Sequence, residues 1–137
     1  MANSVAIQIL EDGPRNVVVK LSGILDTADI ASTTLLDPAA LSTMDGRTPG
    51  ITPTRLKIQK ISYNIETGLA VNLFWDATTP LLIASLVTSG DDLKFRKFGG
   101  LWDNGGAGVT GLITFTTQGW STGAILSFNV ILECTKT

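Results

Sequence analysis

The chain has 137 residues, of which 44% are hydrophobic and only 16% are charged, and its formal net charge is −2. This length suits one domain, and the weakly acidic balance argues against binding to a nucleic-acid backbone, which requires clustered positive charge. Because the chain has no histidine and a single cysteine, its composition excludes Ser-His and Cys-His catalysis, zinc sites with histidine ligands, and disulfides within the chain.

The chain begins with two segments that alternate between apolar and polar residues. Residues 4–10, SVAIQIL, place Val5, Ile7 and Ile9 on one face. The turn cluster EDGPRN separates them from NVVVKLSGIL, in which the alternating valines and Leu21 face inward. Because alternation with period two is typical of half-buried strands, the two segments predict a β-hairpin.

Residues 26–54 lose this alternation and predict a long, threonine-rich connection. Within it, Asp37 as N-cap and Pro38 at the first helical position predict a short helical turn that stops at Gly46. Long connections in compact domains are usually functional or mobile. We therefore interpret this segment as an arm that contacts a neighbouring chain.

Further strand patterns fill the second half of the chain. TRLKIQKISYNIE predicts one long strand whose phase slips at Gln59–Lys60, which is typical of a β-bulge. Five further segments predict the remaining strands: LAVNLFWDA, LLIASLV, LKFRKF, LITFTT and AILSFNVILECT. In the first of them Trp75 faces the core, and LLIASLV is expected to be a short buried strand. The last pattern is the most regular, and its inward-facing residues are Leu126, Phe128, Val130, Leu132 and Cys134.

These patterns amount to about eight strands without a long amphipathic helix. We expect an all-β fold, an antiparallel β-sandwich of jelly-roll type, that forms a single domain over residues 1–137. No apolar run approaches the roughly 18 residues that span a bilayer, so no membrane association is expected. The apolar start of the chain is too short for a signal peptide and has no basic residues before it.

The glycine-rich stretch contains GAGVTG at residues 106–111, which matches the dinucleotide-binding pattern G-x-G-x-x-G. That fingerprint functions only where it opens a helix in a βαβ unit. Here the next residues, LITFTT, alternate like a strand. The glycines are therefore interpreted as backbone hinges in a loop, and no nucleotide, other cofactor, metal or catalytic group is predicted.

One short segment, LKFRKF, is basic, with charges at Lys94, Arg96 and Lys97. Such charges are typical of a strand edge that is protected from unwanted pairing. A patch for nucleic acid or for an acidic partner is the alternative. Because the rest of the chain has no other basic cluster, we favour edge protection.

Large aromatic residues in loops are common anchors of protein interfaces. Trp102 lies in the glycine loop beside Leu101, and Trp120 lies in the turn TQGWSTG. Each could also pack under its own sandwich. Phe74 is the apolar exception on an otherwise polar strand face, which suggests that this second face is also covered. The candidate interface residues are Trp102, Phe74, Trp120, Leu101 and Phe98.

Four stretches, ILEDGPRNVVVKLSGILDTAD, YNIETGLAVNLFWDATTP, FGGLWDNGGAGVTG and TTQGWS, resemble a family of small virion-cluster proteins of tailed bacteriophages. The similarity extends over most of the chain. It implies a structural component of the particle, such as a capsid decoration (cement) or head-associated protein. The matching stretches carry no chemistry, so the resemblance assigns no role to individual residues.

We therefore expect a non-catalytic virion subunit, made in the host cytoplasm, that docks through residues 26–54 and 99–111. The expected partners are further copies of the chain, with a trimer favoured, and the major capsid protein or another virion protein. No nucleic acid, membrane or small-molecule substrate is expected. The alternative is a carbohydrate- or receptor-binding module of a phage tail or head fibre. A small enzyme is disfavoured because histidine is missing.

Overall fold

A computed structural model describes residues 3–44, 50–88 and 92–136. They form nine strands and two short 3-10 turns, Pro38–Ala40 and Arg96–Phe98. The described residues include no helix that is long and apolar enough to cross a membrane. The strands are β1 (Ser4–Asp12), β2 (Asn16–Leu25), β3 (Thr33–Leu36), β4 (Leu56–Ile65), β5 (Ala70–Trp75), β6 (Leu81–Val87), β7 (Leu93–Lys94), β8 (Ile113–Gln118) and β9 (Leu126–Lys136).

The strands form two antiparallel sheets that pack face to face. One sheet has the order β1-β2-β9-β4-β7 and the other β3-β8-β5-β6. When β1 is set aside, four strands face four, and each sheet interleaves strands from the two halves of the chain, which is the arrangement of a jelly roll. The predicted β-sandwich of jelly-roll type is confirmed, with β1 as an additional edge strand.

The core lies between the inward faces of the two sheets. In β9 the predicted inward residues Phe128, Val130, Leu132 and Cys134 are each at most 2% exposed, and Trp75 on the opposing sheet is 1% exposed. The predicted bulge in β4 is also present, since the pairing with β9 shifts between Ile58 and Lys60. Regular alternation therefore predicted the buried side chains correctly in strands that the opposing sheet covers.

The connection over residues 26–54 differs from its prediction. Thr33–Leu36 form β3, which pairs with β8, and Leu35 and Leu36 are buried. The predicted helical turn is present, with the Asp37 side chain accepting a hydrogen bond from the Ala39 amide, but it ends at Ala40. Gly46 lies outside the described residues. The strand was missed because two adjacent leucines around a register shift do not alternate.

Two predicted strands on the sandwich edges also differ. In LKFRKF only Leu93–Lys94 form a strand, and a 3-10 turn follows at Arg96–Phe98. LLIASLV forms β6 as predicted, but it is an edge strand rather than a buried one, and Leu82 is 50% exposed. An edge strand lacks a neighbour on one side, and hydrophobicity alone does not reveal that position.

The glycine-rich stretch connects the second 3-10 turn to β8, a strand as predicted, so its G-x-G-x-x-G string does not open a helix. Gly111 has φ of 86°, and the space of a side chain there is taken by the Thr54 carbonyl oxygen. Positive φ and close backbone approach both favour glycine. This glycine therefore serves the packing of the loop.

A buried lysine fastens the end of β9 to the first hairpin. Lys136 donates hydrogen bonds from Nζ to the Asp12 carboxylate, to the Gly13 carbonyl oxygen at 2.6 Å and to the Ser42 carbonyl oxygen at 2.8 Å. Partial burial acts to raise the pKa of Asp12, but bonds from Lys136 and Ser42 outweigh it, and the pKa lies below its ordinary value. A buried charge of this kind is tolerated because it is fully paired.

Candidate interface

The most exposed aromatic side chains of the described chain lie where the second 3-10 turn enters the glycine loop. Phe98 is 65% exposed and Trp102 is 54% exposed. Between them the main chain turns through Gly99 and Gly100, which both have positive φ. We call Phe98, Leu101 and Trp102 the aromatic patch.

Backbone bonds fix this patch to the sandwich. Leu101 forms an isolated antiparallel bridge with Ile58: its amide donates to the Ile58 carbonyl oxygen at 2.8 Å, and its carbonyl oxygen accepts from the Ile58 amide at 3.1 Å. The side chain of Leu101 is half-buried and packs against the core. Since Ile58 itself is fully buried, the loop is held to a rigid strand immediately before Trp102.

The two exposed rings each have a local support. The ammonium of Lys57 lies 3.6 Å from the centre of the Trp102 ring, a cation–π contact. Phe98 packs edge-on against Phe95, with ring centres 6.0 Å apart, and Phe95 in turn packs against the core. Both rings are therefore held in place while much of their surface faces outward, as interface anchors require.

A basic cleft of about 460 Å³ adjoins the patch along the chain and is lined by Gln59, Lys60, Lys94, Arg96 and Lys97. Two of its cations are paired with Glu133, Lys60 at 3.7 Å and Arg96 at 3.0 Å. Among the described residues, no salt bridge involves Lys94 or Lys97. The surface beside the aromatic patch therefore presents excess positive charge.

The other two predicted interface residues lie elsewhere. Trp120 is half-buried, its indole N–H donates to the Ala124 carbonyl oxygen at 2.9 Å, and its amide donates to the Asp29 carboxylate at 3.1 Å. Phe74 is half-buried on the outer face of β5, where it pairs with Leu82. Local bonds within its own domain thus occupy the polar groups of Trp120.

Trp102 and Trp120 lie toward opposite ends of the sandwich. Leu101 bridges to Ile58, which pairs with Cys134 near the end of β9, whereas Trp120 precedes the first residue of that strand, Leu126. Eight residue steps along a strand span roughly 26 Å. The two tryptophans therefore cannot form one binding site.

Sequence reasoning missed a second apolar surface, on β1. Val5, Ile7 and Ile9 are 39%, 42% and 47% exposed although they lie on the core-facing side of the sheet. Ile7 pairs with Leu21 of β2, which is fully buried. The core face thus continues past the point where the four-stranded sheet covers it. The lack of charge in residues 4–10 could have indicated this surface, but only if β1 were already known to be an edge strand.

The acidic side chains and the cysteine are the groups of the described residues that bear on metal binding and nucleophilic chemistry. No group of three or more cysteine or acidic side chains among them could hold a metal ion. Burial raises the pKa of the Cys134 thiol to about 12, so the thiolate needed for nucleophilic chemistry is not formed near neutral pH. Asp103 is buried, and its Oδ1 accepts a hydrogen bond from the Gly105 amide at 3.1 Å, which is a loop-stabilising role.

In comparisons with known proteins, no family model matches the chain and no curated protein is significantly similar to it. The features that bear on function are therefore those of the surface. They are a supported aromatic patch with adjacent positive charge and an uncovered apolar strand, both on a rigid sandwich.

Proposed function

We propose that the protein is a non-catalytic structural subunit of a bacteriophage virion, a decoration or cement protein that associates with itself and binds the particle surface. The observation that carries the proposal is the aromatic patch, in which Trp102 and Phe98 are both more than half exposed on a loop bonded to β4. The resemblance of the sequence to small phage virion proteins points the same way. Jelly rolls occur in capsid proteins and also in lectins, so the fold supports this role only by analogy.

The patch has the physical properties of a docking anchor. Trp and Phe contribute large apolar areas with few rotatable bonds, so little conformational entropy is lost when a partner covers them. The nearby Lys57 and Lys97 would complement an acidic rim on the particle and accelerate encounter. The expected partner surface is therefore an apolar pocket with acidic residues around it.

Binding of the purified protein to virions of its phage tests this role. Trp102→Ser should weaken co-sedimentation with the particles at least about 30-fold, the equivalent of a central interface residue worth 2 kcal/mol. Its thermal melt should stay within a few degrees of the parent, because the ring is already 54% exposed.

The matched control is Ile125→Ser, which removes another exposed apolar side chain, 61% exposed, from the loop before β9. This variant should bind particles like the parent. Equal binding by all three proteins would overturn the docking role of the patch. A collapsed melt in Trp102→Ser would show that the ring is structural, and Phe98→Ser would then serve as the test.

The exposed indole of Trp102 also favours the second candidate, a carbohydrate-binding module, because sugars stack on aromatic faces. Lys57 covers one face of that ring, and Trp120 is too distant to add a second platform. A glycan array decides between the two functions. Retention on a glycan that is lost in Trp102→Ser, without particle binding, would establish the alternative.

A further inference from the structure

The two edges of the five-stranded sheet are built differently. At one edge β7 has only two residues, one of which is Lys94, and a basic turn follows. At the other edge β1 has nine residues, and from Ser4 to Leu10 it carries neither charge nor proline. Short strands, lysine and proline are the usual devices that prevent edge pairing. The β7 edge has the first two of these devices, and β1 has none of the three along residues 4–10.

The free edge of β1 is also regular. Its register with β2 is unbroken from Ser4 to Ile9, and a bulge occurs only at Leu10. Each residue from Ser4 to Glu11 is exposed, and no backbone group of the described residues pairs with the outer side of this strand. A straight stretch of six residues therefore presents unpaired amide and carbonyl groups in the geometry of a strand template.

We infer that β1 pairs antiparallel with β1 of a second copy, about a two-fold axis at Ile7, so that the two five-stranded sheets become one. This inference deepens the assembly role proposed above and rests on it for its biological setting. It differs from the trimer expected from the sequence, because an isologous interface between identical strands makes a dimer.

A second copy suits this edge because the strand is complementary to itself. A two-fold axis at Ile7 places Ile7 opposite Ile7 of the second copy and Val5 opposite Ile9, so the apolar stripes of both copies join on one face. A charged strand that faced itself would oppose like charges, which destabilises pairing. The uncharged segment Ser4–Leu10 avoids this repulsion.

The other edges of the sandwich are less suited to the same pairing. In β6 the register shifts between the partners of Leu73 and Phe74, and at its end Thr88 already accepts a bond from the Ile65 amide at 2.9 Å. The remaining edge strand, β3, has four residues and an irregular register. Of the described edges, β1 combines length, regularity and an apolar face.

The expected interface is small. The two-fold axis at Ile7 pairs Val5–Ile9 of each copy, a stretch about 17 Å long, so the area buried with the stripes reaches at most about 1,000 Å² in total, the lower limit for a specific interface. The dimer should therefore form with a dissociation constant in the micromolar range and should dissociate on dilution.

Sedimentation velocity over a concentration series, with the full chain and no particles, tests the pairing. Ile7→Lys and Ile7→Glu should each shift dimerisation to concentrations at least about 30-fold higher, since like charges then face each other at the axis. An equimolar mixture of the two variants should regain the dimer, because opposite charges then meet. The matched control is Leu82→Lys on β6, where the apolar side chain is 50% exposed against 42% for Ile7, and this variant should dimerise like the parent.

Cysteine cross-linking tests the register. Ile7→Cys should form a disulfide-linked dimer under mild oxidation, because paired residues fall within disulfide reach. Ile9→Cys should not, since residue 9 lies about 13 Å from its own counterpart. Buried Cys134 should not interfere. A monomeric parent at high concentration, a mixture that stays monomeric, or equal cross-linking at both sites would overturn the inference.

Loss of dimerisation in Ile7→Lys with unchanged particle binding would leave docking intact. Loss of particle binding in Trp102→Ser with an unchanged dimer would leave the pairing intact. The two proposals can therefore fail separately.

Discussion

Replacing Phe128 by alanine should destabilise the fold more than most single substitutions, because its ring fills the space that is left open by the missing side chain of Gly23. Phe128 is 1% exposed in β9 and pairs with Gly23 of β2 on one side and Ile65 of β4 on the other. A Cβ placed on Gly23 would lie 2.8 Å from the tip of the ring. The ring therefore covers a residue that has no side chain with which to fill a cavity.

The expected cost follows from this geometry. Deletion of a buried aromatic ring costs about 3–5 kcal/mol, and the upper part of that range applies where the site cannot collapse. For a domain of this size each kcal/mol lowers the melting temperature by roughly 4 °C, so a decrease of about 12–20 °C is expected. Such a loss is a large share of a typical stability of 5–15 kcal/mol.

Urea unfolding measures the loss directly, with fluorescence and far-UV circular dichroism recorded in parallel to check that unfolding is two-state. The control is Ile125→Ala at a site that is 61% exposed, where the change should stay within about 0.5 kcal/mol. A loss below about 1 kcal/mol in Phe128→Ala would refute the reasoning.

A double-mutant cycle isolates the contact between the ring and the glycine. Gly23→Ala alone should cost about 1–3 kcal/mol through overpacking against Phe128. In the Phe128→Ala background the same substitution should cost much less, which gives a coupling of at least about 1 kcal/mol. Equal costs in both backgrounds would show that the ring does not set the need for glycine at this position.

Three further outcomes are expected. Because the pKa of Asp12 is lowered in the folded protein, the ionised carboxylate contributes fully to stability above the ordinary pKa of 3.8, and this contribution is lost as the pH falls through the lowered pKa. The urea midpoints at pH 7 and pH 3 should therefore differ less in Lys136→Met than in the parent. An equal difference in both proteins would contradict this expectation. Cys134 should resist a thiol reagent at pH 8 until the protein unfolds, and fast labelling of the native state would contradict its burial. Gly111→Ala should lower the melting temperature, because φ of 86° strains an alanine and the Thr54 carbonyl oxygen occupies the space of its Cβ. Gly123→Ala should lower the melting temperature less, because this glycine has the same φ of 86° but open space around it.

Alternation along the chain was sufficient to identify most of the sandwich. It predicted the first hairpin, the bulge in β4 and the inward face of β9. In β2, β4 and β9 the pattern reflects burial under the opposing sheet, whereas β1 keeps the same alternation although both of its faces are exposed. It failed at β3, where two consecutive leucines are both buried beside a register shift. It also failed at Arg96–Phe98, where a basic strand pattern forms a 3-10 turn. β7 pairs with β4 only at Lys60 and Ile61, directly after the bulge of β4.

The candidate interface was only partly accessible from the sequence. Trp102 and Trp120 both occur in glycine-containing turns, and nothing local distinguishes them. In the structure the loop of Trp102 is held to Ile58 by the bridge of Leu101, and the indole of Trp102 stays exposed. The indole N–H of Trp120 instead donates to the carbonyl oxygen of Ala124 in the same turn. Long-range backbone pairing made that difference.

The first strand shows most directly what the sequence by itself determined and what only the tertiary structure decided. Alternation in residues 4–10 was enough to assign Val5, Ile7 and Ile9 to one face of a strand, because the period of a strand is a local property of the backbone. Whether that face is covered depends on the number of strands in the opposing sheet. Five strands lie against four, so the face of β2 is buried while the same face of β1 remains open.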